Sequence, residues 1–274
     1  MKFQPKKAIL KAQIMKIGIF DSGLGGLSLL HSAWQKLDAK YIYYADEAHV
    51  PYGEKSPDEV LGFVSEIIEF LIAQNVDAIV IACNTASSVF DYLKRAKYAL
   101  PIIAMEPALK KATDENPDAK ILVTATQITI NGEKLRLLAQ SLNAKADFLA
   151  LGGLVRLAES GDFDALAYLS KYKEILQNNE ILVLGCTHFN YFKSEFLKIN
   201  PNLKFVDGNL GTIKQLARSL NFGEKSENLS DFRKFDLNGL LNDTEFFISG
   251  KKANANEINL IKTCFERLDI QYKI

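Results

Sequence analysis

Short apolar runs alternate along this chain with longer stretches in which apolar residues recur every three or four positions. A strand buried on both faces reads as a continuous hydrophobic run, whereas its covering helix shows one apolar stripe. The alternation therefore predicts an α/β fold built on parallel sheet. Strands are predicted at residues 17–20, 41–44, 78–82, 102–104, 121–124, 148–151, 181–184, 204–206 and 246–248. The clearest helix opens at Ser56-Pro57-Asp58-Glu59. Ser56 can cap it, Pro57 suits its first position, and Glu59 completes a capping box. Behind them Val60, Phe63, Val64, Ile67, Ile68, Leu71 and Ile72 form one buried face. Ile258, Ile261, Phe265 and Leu268 predict a closing helix, with an irregular polar excursion over residues 221–243 before it.

The pattern repeats. One apolar run leads into Cys83-Asn84-Thr85, and another leads through Gly185 into Cys186-Thr187-His188. Gly18-Ile19-Phe20-Asp21-Ser22 matches Leu122-Val123-Thr124-Ala125-Thr126, and Asp21 precedes Cys83 by 83 − 21 = 62 residues where Thr126 precedes Cys186 by 186 − 126 = 60. Ligands of open α/β sheets bind just beyond the carboxyl ends of the strands. Two halves of one plan thus predict two pseudo-symmetric parallel-sheet α/β domains, with the active site in the cleft between them.

Charge and cysteine usage narrow the function classes. The chain carries 33 Lys+Arg and 33 Asp+Glu in 274 residues. Zero net charge leaves no footprint for nucleic acid or an anionic membrane, and no apolar run of ~18 residues suggests a membrane span. Three cysteines are too few for a disulfide framework and fit a reducing cytoplasm. No C-x₂-C or H-E-x-x-H spacing predicts a metal, and no local signature marks a Schiff-base lysine, so neither metal nor cofactor is expected. Residues 1–14 lack the long apolar segment and cleavage site of a signal peptide and are expected to form a flexible extension ahead of Met15.

Two thiols at equivalent strand ends suit a reaction that removes a proton from one face of a carbon and returns one to the other. A free thiol near pKa ~8.5 is a weak base at neutral pH and needs help from a helix start or neighbouring polar groups. Asp21 and His188 are the natural proton-handling partners, one per half. The competing reading, for either cysteine alone, is an inert buried thiol. The Asp21–Ser28 loop (DSGLGGLS) fails the dinucleotide fingerprint, because the third glycine would fall at Ser28, but its N–H groups can receive a carboxylate. Asn84, Thr85, Thr126, Thr129 and Thr187 are short polar groups suited to an amino acid's carboxylates and ammonium. Cys264 falls between apolar positions and is assigned to the core, and His31 and His49 receive no catalytic role.

At KIGIFDSGLGG (16–26), VPYG (50–53), ACNTAS (82–87) and LGCTHF (184–189) the chain resembles the glutamate racemases, cofactor-independent two-cysteine members of the Asp/Glu racemase family. Weaker echoes follow at TQITI (126–130), Glu159 and FISG (247–250). The resemblance implies a first domain of residues 15–107 plus 211–274 and a second of 108–210. It implies acid/base roles for Cys83 and Cys186, and substrate contacts from Asp21, Ser22, Tyr52, Gly53, Asn84, Thr85, Thr187 and His188, with Thr126, Thr129 and Glu159 nearby. It also implies glutamate as substrate, D-glutamate supply for peptidoglycan, and a homodimer. Ala45-Asp46-Glu47-Ala48-His49 departs from the family's G-D-x-A-R; Ala125, Gly132, Leu135, Arg156, Asn190-Tyr191 and Asp207-Gly208 are further departures. The alternatives are a racemase of aspartate or another acidic amino acid, and a non-catalytic amino-acid-binding paralogue.

Overall fold

A computed structural model describes residues 14–220 and 233–274. The expected extension at 1–14 lies outside these residues except for Ile14, as does the first part of the 221–243 excursion. Each predicted apolar run forms a strand: β1 (Lys16–Asp21), β2 (Lys40–Ala45), β3 (Ala78–Ile81), β4 (Ile102–Ala104), β5 (Ile121–Ala125), β6 (Ala146–Ala150), β7 (Ile181–Gly185), β8 (Lys204–Val206) and β9 (Thr244–Ile248). A two-residue strand, β10 (Lys251–Lys252), pairs antiparallel with β9 across a tight turn. Ser249 and Gly250 make that turn with φ of 46° and 82°, which glycine accepts at little cost.

The strands form two sheets, in the orders β10-β9-β2-β1-β3-β4 and β6-β5-β7-β8. Replacing β1 to β4 by β5 to β8 converts the order β2-β1-β3-β4 into β6-β5-β7-β8, so the two halves share one topology. Every pairing apart from that of β10 is parallel. The chain returns to the first sheet at the end, where β9 runs beside β2.

Register bears out the match of Gly18–Ser22 with Leu122–Thr126. Phe20 pairs with Ile81, two residues before Cys83, and Thr124 pairs with Leu184, two residues before Cys186. Phe20 therefore corresponds to Thr124, Asp21 to Ala125, and Ser22 to Thr126.

Helices cover the sheets as the stripes predict. The Pro57–Ala73 helix has its capping box in place and buries Val60, Val64, Ile67, Ile68 and Leu71. The Ala255–Gln271 helix is capped in the same way by Asn254 with Glu257 and buries Ile261, Cys264, Phe265 and Leu268. The excursion is less irregular than expected: Leu237–Asp243 is a helix capped by Asp236, anchored by the buried Leu240.

Candidate active site

Both cysteines lie immediately beyond the carboxyl end of a central strand. Cys83 follows β3 by one residue and caps the short Asn84–Val89 helix, its sulfur accepting from the Ala86 N–H at 3.5 Å. Cys186 follows β7 directly and precedes the 3₁₀ turn Thr187–Phe192. Both are buried, at 5% and 6% exposure.

The surroundings of the two sulfurs differ. The Cys83 thiol donates to Ser22 Oγ at 3.8 Å, and Ser22 donates in turn to Asp21 Oδ1 at 3.1 Å. Asp21, expected beside Cys83, reaches it through this hydroxyl. Burial, and then the Asp21 carboxylate, push the Cys83 thiol up to about 12, so it rests protonated. Asp21 itself is fully buried, and desolvation raises its pKa against the opposing pull of His188 and the Thr187 hydroxyl.

Cys186 meets its helper directly, with His188 Nδ1 at 3.6 Å from the sulfur. His188 Nε2 bonds to Glu159 Oε1, which also accepts the Leu24 N–H at 2.9 Å. Burial disfavours the imidazolium, but Glu159 and Cys186 outweigh it and hold the His188 pKa well above its ordinary value. A cation therefore stands beside Cys186, where a neutral hydroxyl stands beside Cys83.

Hydrogen bonds tie the two corners together. Thr187 donates to Asp21 Oδ2 at 2.9 Å, Thr85 and Thr126 share a bond of 2.8 Å, and Thr126 and Thr129 one of 3.1 Å. Tyr191 donates to the Leu24 carbonyl at 2.7 Å. Asn84 is buried with its Oδ1 free of any hydrogen bond, an acceptor available to an ammonium group. Three glycines permit the close approach. A Cβ on Gly23 would stand 2.1 Å from Glu159 Oε1, one on Gly25 2.4 Å from His188 Nδ1, and one on Gly53 2.8 Å from Thr126 Cβ. At the surface Arg156 forks onto both Glu54 oxygens at 2.6 and 2.7 Å.

The Tyr52 side chain is held within its own loop. Its hydroxyl donates to Asp46 at 2.6 Å and its ring is buried. His49 stacks on Phe63 at 3.9 Å and engages the same Asp46 carboxylate at 2.9 Å. Asp46 thus organises the loop that carries Gly53 to Thr126. That role was not read from the sequence, although the unusual Ala45–His49 segment marked the place. Cys264 is core, as expected. Among the described residues no group of His, Cys, Asp and Glu is arranged to hold a metal ion, and no helix is long and apolar enough to cross a membrane.

This geometry has close relatives. The chain is 45% identical over 267 residues to the glutamate racemase of Campylobacter concisus (strain 13826), covering 93% of this chain and 98% of that one. Its fold matches the crystal structure of glutamate racemase from Campylobacter jejuni subsp. jejuni with a TM-score of 0.73 and 30% identity, over 93% of this chain and 99% of the other. It matches Escherichia coli glutamate racemase, solved with L-glutamate and the activator UDP-MurNAc-ala, with a TM-score of 0.74 and 26% identity over 88% and 100%. The model of the Asp/Glu/Hydantoin racemases matches residues 25–216. With the paired thiols, the repeated topology and these likenesses together, the chain belongs to the Asp/Glu/Hydantoin racemase family.

Proposed function

We propose that this protein is a glutamate racemase that interconverts L- and D-glutamate by two-base proton transfer at Cα, using Cys83 and Cys186. The observation that carries the mechanism is the occurrence of two buried thiols at corresponding strand ends of two like halves, each at the head of its own hydrogen-bonded chain, with Asp21 of the first half bonded to Thr187 beside Cys186 in the second. Relatives named as glutamate racemases over nearly the whole chain support the substrate. The D-isomer so formed would supply peptidoglycan synthesis.

In one direction Cys186 takes the α-proton of L-glutamate, and His188 serves as charge partner to the sulfur. Cys83, which rests as a thiol, gives its proton to the opposite face. The resting state is restored when Cys186 gives up its gained proton to solvent and a solvent proton reaches Cys83 along the Ser22 hydroxyl and Asp21 relay. Asn84, Thr85, Thr126, Thr129 and Thr187, with the N–H groups around Ser22 and Gly53, hold the carboxylates and ammonium. The two domains are residues 15–107 plus 211–274 and residues 108–210, and the working unit is a homodimer. Light scattering on the purified protein tests the last point.

Racemisation of pure L-glutamate in D₂O tests the chemistry. Two bases require that early D-glutamate carry deuterium at Cα while recovered L-glutamate stays protiated. Substantial protium in that D-glutamate would leave a single shuttling base and make the second cysteine structural. A preference for aspartate over glutamate would move the substrate assignment and leave the mechanism standing.

A further inference from the structure

Glu159 uses its two oxygens unequally. Oε1 receives both the Leu24 N–H and His188 Nε2, whereas Oε2 is buried with no ordinary donor among the described residues. The Glu47 carboxyl lies within hydrogen-bonding reach of the Glu159 side chain, and Glu47 Oε1 is likewise buried with no ordinary donor. Two ionised carboxylates cannot satisfy one another: each only accepts, and both are negative. A single proton between them pairs both orphaned oxygens at once, the arrangement by which carboxyl pairs share one proton.

We propose that Glu47 is a positioning residue that stays protonated at neutral pH and donates to Glu159 Oε2, thereby fixing the carboxylate that orients His188 on Cys186. The groups facing Glu47 from other elements are Glu159, His188 and Asp21, with Tyr43 and Cys264 further into the core. On its own loop Asp46 is already occupied by His49 and Tyr52. Burial and then Glu159 push the Glu47 carboxyl up to about 9, with His188 pulling the other way. The protonated pair carries one negative charge, which the imidazolium balances. Ionisation of Glu47 would add an uncompensated charge to a site that must accept a dicarboxylate.

The kinetic part of this inference rests on the racemase reading; the protonation part does not. In Glu47→Gln the amide can still donate to Glu159 but cannot titrate, whereas Glu47→Leu has no donor. For the wild type, kcat should fall on the alkaline side with a midpoint near 9, following the Glu47 carboxyl. Glu47→Gln should lose that limb or move it upward by about one unit or more. At neutral pH its kcat should be reduced by less than that of Glu47→Leu, whose loss should be roughly tenfold or more because a hydrogen bond to a charged group is gone.

Two measurements need no turnover. Infrared spectra of the wild type should show a protonated-carboxyl C=O stretch at neutral pH that Glu47→Gln lacks. Thermal unfolding supplies the second. A carboxyl whose pKa rises from 4.5 to about 9 on folding stabilises most at low pH, and that stability is lost as pH climbs between the two values. The wild-type midpoint should therefore decline relative to that of Glu47→Gln over this range. An unchanged alkaline limb, parallel unfolding curves or absence of the infrared band would each overturn the proposal. If racemisation is absent but the band and the unfolding slope are present, the protonated pair stands and the racemase reading falls.

Discussion

The two cysteine corners occupy the same place in the same topology, yet their chemistry is not the same. At Cys83 the sulfur meets a serine hydroxyl, a buried aspartate lies behind it, and the thiol is held protonated. At Cys186 the sulfur meets an imidazolium directly, with a glutamate behind. The backbone is duplicated; the proton inventory is complementary. In the proposed mechanism one corner would give a proton at rest, and the other would offer a charge partner to a sulfur that has just lost one. Under that mechanism the division would prepare the free enzyme for one direction of the reaction without a rearrangement of charge.

Removing one thiol at a time gives the largest expected effect. Cys83→Ala and Cys186→Ala should each lower racemisation by ~10³-fold or more, as expected when a positioned acid or base is deleted. Each variant should keep slow α-proton exchange with D₂O for a single isomer: L-glutamate in Cys83→Ala, D-glutamate in Cys186→Ala. Exchange of both isomers by either variant would dissolve the distinction between the corners.

Gly25→Ala tests the approach of the halves at the His188 corner. The added methyl would meet His188 Nδ1 at 2.4 Å and Thr187 Oγ1 at 2.5 Å. Shifting a catalytic group by ~1 Å can cost about 10²-fold, so kcat should fall on that scale. Gly62→Ala is the control, because a Cβ there meets nothing within 4 Å. Equal activity in the two variants would show that His188 can move without penalty.

A matched pair sharpens the comparison through isotope effects. Enantiomers have an equilibrium constant of one, so kcat/KM stays equal in both directions whatever is mutated. The halves instead separate in which proton transfer limits the rate. Ser22→Ala cuts the relay behind Cys83 and should raise the primary deuterium effect with D-[2-²H]glutamate. His188→Gln should raise it with L-[2-²H]glutamate. Equal rises with both isomers would mean that the two transfers share one transition state.

Smallest is the surface pair. Arg156 and Glu54 are 66% and 50% exposed, and pairs of that kind contribute little to stability. Arg156→Gln should leave the unfolding midpoint and kcat unchanged within error. A clear gain in kcat would instead identify the pair as a clasp that slows opening of the site.

Much of this molecule is written locally in its sequence. A strand buried on both faces must be apolar throughout, and the Ser56 and Asn254 helix starts need only residues within one turn. The two thiols were legible because the repeat placed them in like contexts. Other features were less so. The Leu237–Asp243 helix is short and anchored by the buried Leu240, too little periodicity to stand out against its polar surroundings. Contacts between the halves, such as Thr187 with Asp21 or Leu24 with Glu159, join residues 166 and 135 positions apart. No local pattern records such a meeting. Glu47 was visible only as a departure from the family's usual residues; its meaning depends on the carboxyl it faces in the folded chain.

The repeated strand order has a consequence for the geometry of the substrate itself. A deprotonated Cα is planar, with nitrogen, carboxyl carbon and Cβ arranged around it. A twofold rotation that exchanges the two faces must run along one of those three bonds, and it exchanges the other two substituents. A protein with perfect twofold symmetry could therefore supply identical bases to both faces, but it would offer one set of partners to two chemically different groups. Duplication of a half furnishes the bases; recognition of an amino acid then requires the copies to differ. The ladder locates such a difference at one position, where Asp21 in the first half corresponds to Ala125 in the second. In the proposed racemase, a carboxyl group on one side and a methyl on the other would let the site tell an ammonium from a carboxylate while still addressing both faces of the carbon.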